Sequence, residues 1–143
     1  MTTTHPTHAD ERLAASTKLA YGAGDFGTAI VAALKGFFLL IFLTDVARLD
    51  PAAAGSILLL NKVWDAINDP LIGWLSDRTR TRWGRRRPWI LFGAIPFGLL
   101  FFLLWLTPPL DPTAKYLYYL VIALLGDTAF TAVNVPYTAL TPE

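Results

Sequence analysis

Four stretches of this chain are apolar over the length a helix needs to cross a bilayer, about 20 residues: Leu19 to Thr44, Ala52 to Ser76, Pro88 to Leu106 and Tyr116 to Leu140. In lipid, a segment of that length must satisfy each backbone N–H and C=O internally, which a helix does by itself. The sequence therefore predicts an all-α membrane protein with four transmembrane helices. Its breaks carry turn chemistry: Asp50-Pro51 after the first span, the arginine run after the second, and Pro108-Pro109 with Asp111-Pro112 after the third. Composition agrees, since 54% of the 143 residues are hydrophobic and 16% charged, against about 25% charged in soluble domains.

Residues 1–18 read as a polar tail with no apolar run that could serve as a cleavable signal peptide. His5 and His8 stand there as isolated, solvated side chains. The absence of cysteine excludes a disulfide framework and a thiolate metal site. Six arginines fall between Arg78 and Arg87; basic residues in short loops stay on the cytoplasmic side, so this loop and the N-terminal tail are expected there. A nucleic-acid or anionic-lipid patch would use the same residues, but confinement between two spans makes topology the simpler reading. Thr141-Pro142-Glu143 follows the fourth span directly, so residues 19–143 are expected to begin a longer protein.

The second span is the unusual one, because it holds Lys62, Asp65 and Asp69. Each charge at a helix centre costs roughly 2.5–3.5 kcal/mol on the insertion scale, more than the neighbouring Leu, Ile and Val residues offset. Such a helix needs a bundle that solvates the charges, and intramembrane charges of this kind mark ion or substrate pathways. At about 100° per residue, Asn61, Lys62, Asp65, Asn68 and Asp69 share one face, while Leu60, Val63, Trp64, Ile67 and Leu71 occupy the side expected to meet lipid or apolar neighbours. Asp65 and Asp69, one turn apart, offer oxygens to a hard monovalent cation. Pro70 has no N–H to give the carbonyl of Ala66, which leaves a further oxygen beside them. The competing structural reading is that Lys62 and Asp65 neutralise one another at i, i+3, which leaves Asp69 unexplained.

Five segments then carry a resemblance: Lys18-Leu19-Ala20-Tyr21-Gly22; Trp64-Asp65-Ala66-Ile67-Asn68-Asp69-Pro70; Gly73 through Asp77-Arg78-Thr79-Arg80; Trp83-Gly84-Arg85-Arg86-Arg87-Pro88-Trp89; and Asn134-Val135-Pro136-Tyr137. In this order and spacing they resemble the glycoside-pentoside-hexuronide:cation symporters of the major facilitator superfamily, the group that includes the melibiose permease. The resemblance implies a twelve-helix fold of which this chain supplies the first four helices, with the remaining helices as partners. It implies symport of a sugar or glycoside with sodium or a proton, no other cofactor, no enzymatic activity and no nucleic-acid partner. It places the cation at Asp65 and Asp69, with Thr131 as a further oxygen ligand. It also makes Gly73, Asp77, Arg78, Arg85 and Arg86 part of the cytoplasmic loop that opens and closes during alternating access. Two sugar-gripping aspartates of the melibiose permease are replaced here by Ala29 and Asn134, and its stacking tryptophan by Thr138. Asn134 retains hydrogen-bonding capacity.

Lys35, near the middle of the first span, is expected to line the substrate path or to bridge to an acid on a helix beyond these four. Asp25 lies among small residues suited to close helix contact, and Asp127 receives no assignment. Trp83, Trp89 and Trp105 fall near span ends, where interfacial anchoring accounts for them. The resulting expectation is a multi-pass transporter of the plasma or inner membrane. Its competitors are a lipid or drug carrier of the same fold and a non-transporting scaffold.

Overall fold

The computed structural model describes residues 15–84 and 87–138, and all regular structure there is helical. Residues 1–14 of the polar tail expected over 1–18, and Arg85 and Arg86 of the expected switch loop, lie outside the described residues. Helix α1 starts as a regular α-helix over Ala15–Ala33. It then runs without a break through a π-helical segment Leu34–Phe38, an α-helical turn Leu39–Ile41 and a second π-helical segment Phe42–Val46. Helices α2 (Pro51–Arg78), α3 (Arg87–Leu104) and α4 (Pro112–Thr138) follow.

The ends follow from local chemistry. After α1, Arg48 adopts a left-handed φ of 57°, and the Leu49 N–H reaches back to the Leu43 carbonyl at 2.9 Å. Buried Leu43 and Leu49 flank this turn, the hydrophobic contact that accompanies such helix stops. The Asp50 side chain accepts from the Ala52 N–H at 3.1 Å, with Pro51 in the first helical position; there the missing N–H costs nothing and φ is already helical. α4 likewise begins at Pro112, a turn before the apolar stretch expected to start at Tyr116. Its polar first turn is held because the Lys115 ammonium donates to the Ala47 carbonyl at 3.1 Å, capping the end of α1. α3 stops at Leu104 rather than Leu106, since the N–H groups of Trp105 and Leu106 turn to the carbonyls of Phe102 and Leu103, each at 3.2 Å. Pro108 and Pro109 then prevent the helix from resuming.

α4 is the element around which the others assemble: it packs along α3 and α2 and touches α1 at a few points. Gly93 lets α3 approach α4, for a Cβ there would stand 2.9 Å from Val133. Gly24 does the same for α1, where a side chain would collide with the Tyr137 hydroxyl. Tyr21 and Tyr137 stack with ring centroids 5.0 Å apart, and the Tyr137 hydroxyl donates to the Tyr21 carbonyl. Of the small residues around Asp25, Gly24 serves the close contact expected of them, while Gly22 and Gly27 face open space.

The buried core lies at the end of the bundle that carries the α1–α2 and α3–α4 connections, built from Leu39, Leu43, Ile57, Leu104, Tyr119 and Ala123 among others. Tyr119 is fully buried and its hydroxyl donates to the Leu106 carbonyl at 2.6 Å, while Tyr118 donates to that of Leu103 at 2.7 Å. The Tyr119 bond satisfies a carbonyl just past the end of α3, and the Tyr118 bond gives the Leu103 carbonyl, which already accepts from the Leu106 N–H, a second donor. Trp105 packs edge-on against Phe42 at 5.0 Å. Its indole nitrogen is buried without a partner, and the half-buried ring packs against the core from the span end where interfacial anchoring is expected.

Among the described residues, three helical stretches are long and apolar enough to cross a membrane, Lys18–Val46, Arg87–Leu104 and Pro112–Thr138. α2 has the length but carries Lys62, Asp65 and Asp69 in its middle. Its spanning role depends on what the bundle offers those charges.

Candidate functional site

A cavity of about 290 Å³ opens between α1, α2 and α4, and polar side chains from all three helices line it. α2 contributes Asn61, Lys62, Asp65 and Asp69; α4 contributes Asp127, Thr131 and Asn134; α1 contributes Lys35. The polar face read from the helical period of α2 thus points at α4 and α1. All five residues expected to bind cation or substrate, Asp65, Asp69, Thr131, Asn134 and Lys35, meet on this one wall.

The two carboxylates of α2 are engaged differently. Thr131 donates its hydroxyl to Asp69 Oδ1 at 3.0 Å, joining α2 to α4. Asp65 lies 3.6 Å from the Lys62 ammonium on its own helix. Lys62 itself is 82% exposed, as befits a long side chain that carries its charge out of an apolar wall. The local pairing of Lys62 with Asp65 is therefore present, and Asp69 stands outside it with a hydroxyl for company. The helix is not buried all round: Asn61 and Asn68 are buried while Lys62 and Asp69 open onto the cleft. Asn61 Oδ1 and Asn68 Nδ2 are buried without a hydrogen-bond partner.

Lys35 pairs with Asp127 across the gap between α1 and α4. The acid that Lys35 was expected to find beyond these four helices is within the chain, and Asp127, which sequence reading left unassigned, is that acid. An unpaired charge at this depth is strongly unfavourable, and pairing removes most of the penalty. No local pattern could have joined the two, since they lie far apart in sequence. The one available signal was that both are charges in otherwise apolar spans. Lys35 also sits in the π-helical segment Leu34–Phe38, a distortion found often at functional positions.

Trp64, on the side expected to meet lipid or apolar neighbours, is partly exposed, and its indole N–H donates to Thr128 on α4 at 2.9 Å. Of the expected switch-loop residues, Gly73 lies against α4, where a Cβ would be 3.7 Å from Val135. The Arg78 guanidinium stacks over the Trp74 ring at 4.6 Å, and Asp77 closes the last turn of α2. At the other side of the loop, the Trp89 N–H donates to the Thr79 hydroxyl at 3.0 Å, tying α3 to the end of α2.

Related sequences identify the family of this helical bundle. The family model described as MFS/sugar transport protein matches residues 20–143. The chain belongs to that family. Within the major facilitator superfamily it falls among the glycoside-pentoside-hexuronide:cation symporters, and its four helices fit the N-terminal part of that fold. An uncharacterised symporter of Synechocystis is 55% identical over 93% of this chain and 26% of its own length. The inner membrane symporter YicJ of Escherichia coli is 39% identical over 91% of the chain and 28% of its own length. A sodium-dependent lysophosphatidylcholine symporter of Danio rerio is 44% identical over 87% of the chain and 24% of its own length. The chain thus spans about a quarter of the length of the relatives it matches. The family and these relatives are transporters, not enzymes.

Proposed function

We propose that the protein carrying this chain is a secondary transporter of the plasma or inner membrane that couples entry of a sugar or glycoside to a monovalent cation. The observation that carries the reading is the Asp69–Thr131 contact between α2 and α4, beside Asp65 and on the wall of the shared cavity. Carboxylate and hydroxyl oxygens suit sodium, and a carboxylate alone can carry a proton; Asp65, Asp69 and Thr131 are the proposed cation ligands. Asn134 and Lys35 are the proposed substrate residues, since both line the same space and offer donors to hydroxyl groups. Cation and substrate then occupy neighbouring places, and their joint presence would favour the switch between outward and inward states.

The arginine-bearing loop and the N-terminal tail are assigned to the cytoplasm by the positive-inside rule. Gly73, Asp77 and Arg78, with Arg85 and Arg86, form the proposed loop whose contacts change during alternation. The remaining helices of the fold would complete the cavity.

A lipid substrate is the second reading, favoured by the relatives named as lysophosphatidylcholine symporters. One experiment separates the two. Membrane vesicles containing the full-length protein are offered labelled glycosides and a labelled lysophospholipid, with and without a sodium or proton gradient, for the wild type and Asp69→Asn. Gradient-driven glycoside uptake that Asp69→Asn abolishes is the expected result. Uptake of the lysophospholipid alone would replace the sugar reading, and uptake indifferent to both gradients would remove cation coupling.

A further inference from the structure

We infer that Lys35, Asp127 and Asn61 form an electrically neutral clamp for hydroxyl groups, so that the transported compound is an uncharged polyhydroxylated molecule and not an acidic one. The inference rests on the transport reading above and names the substrate class of the same cavity.

Three observations carry it. Lys35 and Asp127 face the cavity as an ion pair, with side chains 19% and 6% exposed. The ammonium is thus already matched by a carboxylate and is not a free anchor for an anion. Both groups keep hydrogen-bonding capacity, for the ammonium has three donors and the carboxylate two acceptor oxygens. A hydroxyl, which both donates and accepts, can join such a pair without breaking its charge balance.

Asn61 supplies the second observation. It is 5% exposed, lines the same cavity, and its Oδ1 is buried without a partner. A buried acceptor left unpaired is unfavourable, and a hydroxyl hydrogen satisfies it whereas a carboxylate oxygen cannot. Asn61 lies one turn before Asp65 on α2, and Asp127 one turn before Thr131 on α4. The clamp therefore sits further from the arginine loop than the Asp69–Thr131 contact, by one turn on α4 and two on α2, leaving adjacent places for hydroxyls and cation.

Charge is the third. The cavity wall holds Lys35 and Lys62 against Asp65, Asp69 and Asp127, one negative charge in excess. A monovalent cation brings the site to neutrality, after which an uncharged substrate leaves it neutral. An acidic substrate adds a negative charge beside Asp127 and Asp65 in a poorly screened space.

The test uses the full-length protein in proteoliposomes and measures competition for uptake by methyl glycosides and by the matching glycosiduronic acids. In the wild type, the uronic acids are expected to compete at least tenfold more weakly than the neutral compounds. Asp127→Asn frees the Lys35 charge and is expected to shift that ratio tenfold or more toward the acids, while cation stimulation of uptake persists. Lys35→Gln is expected to weaken the neutral compounds without gain for the acids. The exchange Lys35→Asp with Asp127→Lys preserves a bridge between α1 and α4, so a purely structural pair would regain wild-type uptake; the clamp requires that it does not.

Acids competing as well as neutral compounds in the wild type, an unmoved ratio in Asp127→Asn, or full recovery in the exchanged pair would each overturn the clamp. The wild-type comparison decides even where a variant fails to fold. Loss of the clamp with gradient-driven uptake intact leaves the transport reading standing, whereas no uptake under either gradient removes both.

Discussion

The two ends of the bundle are built on opposite principles. At the end carrying the α1–α2 and α3–α4 connections, Leu39, Leu43, Ile57, Leu104 and Tyr119 are buried together, and hydroxyl and ammonium donors cap the exposed carbonyls of α3 and α1. Along the same α1, no described side chain from Ala15 to Phe38 is buried. That half meets the rest of the chain through single contacts, the Tyr21–Tyr137 stack and the Lys35–Asp127 pair. Helices in lipid gain little from hydrophobic association, and close packing with polar contacts decides where they adhere. One end is consequently a fixed base. At the other, the N-terminal half of α1 is held at points while α2 and α4 stay packed through buried Asn68, Ile72, Ser76 and Pro136, and the polar cleft lies beside that half of α1.

The contrast assigns different consequences to changes in the two regions. Tyr119→Ala removes a fully buried ring and its bond to the Leu106 carbonyl from the base. A loss of about 3–5 kcal/mol is expected from the precedent of buried aromatic truncations, read as a fall in the detergent or thermal unfolding midpoint. Gly93→Leu forces α3 away from Val133, and about 1–3 kcal/mol is expected in the same assay. Thr131→Ala, in the cleft, removes a buried hydroxyl and its bond to Asp69 and is expected to cost about 1 kcal/mol of stability, well below Tyr119→Ala, while weakening the apparent cation affinity about tenfold, equivalent to about 1.4 kcal/mol. Thr131→Ser should retain most of that affinity. If Thr131→Ala instead unfolds the protein as Tyr119→Ala does, the division between base and cleft is wrong. The smallest effect is expected at Arg48, where a left-handed φ of 57° suits glycine: Arg48→Gly should stabilise by about 0.5–1 kcal/mol.

What the sequence reveals about this molecule follows the range over which its signals act. Helix number and approximate ends are legible because apolar length, proline and Asp-Pro turns are local. The polar face of α2 is legible because helical period alone brings Asn61, Asp65 and Asp69 to one side. Which helix that face meets is a tertiary fact. Lys35 and Asp127 announce themselves as charges in apolar spans, yet only the crossing of α1 and α4 makes them partners. For Trp64 and Trp105 only the helix side or end is legible, because whether the indole N–H meets Thr128 or is buried without a partner depends on neighbours remote in the chain. The π-helical segments of α1 leave no mark in composition at all. Family resemblance added the proposed roles of Thr131 and Asn134, which no periodicity would have singled out.

The central assignment is the cation place at Asp69 and Thr131, and its most direct test is equilibrium binding. The purified full-length protein is titrated with sodium at fixed pH, and with protons in the absence of sodium, following heat or intrinsic tryptophan fluorescence from Trp64 and Trp74 on the same helix. The expected result is saturable binding of one of the two ions by the wild type, weakened by Thr131→Ala and abolished by Asp69→Asn, with the folded fraction unchanged in each. Saturable binding that survives Asp69→Asn undiminished would contradict the assignment and move the cation elsewhere in the protein.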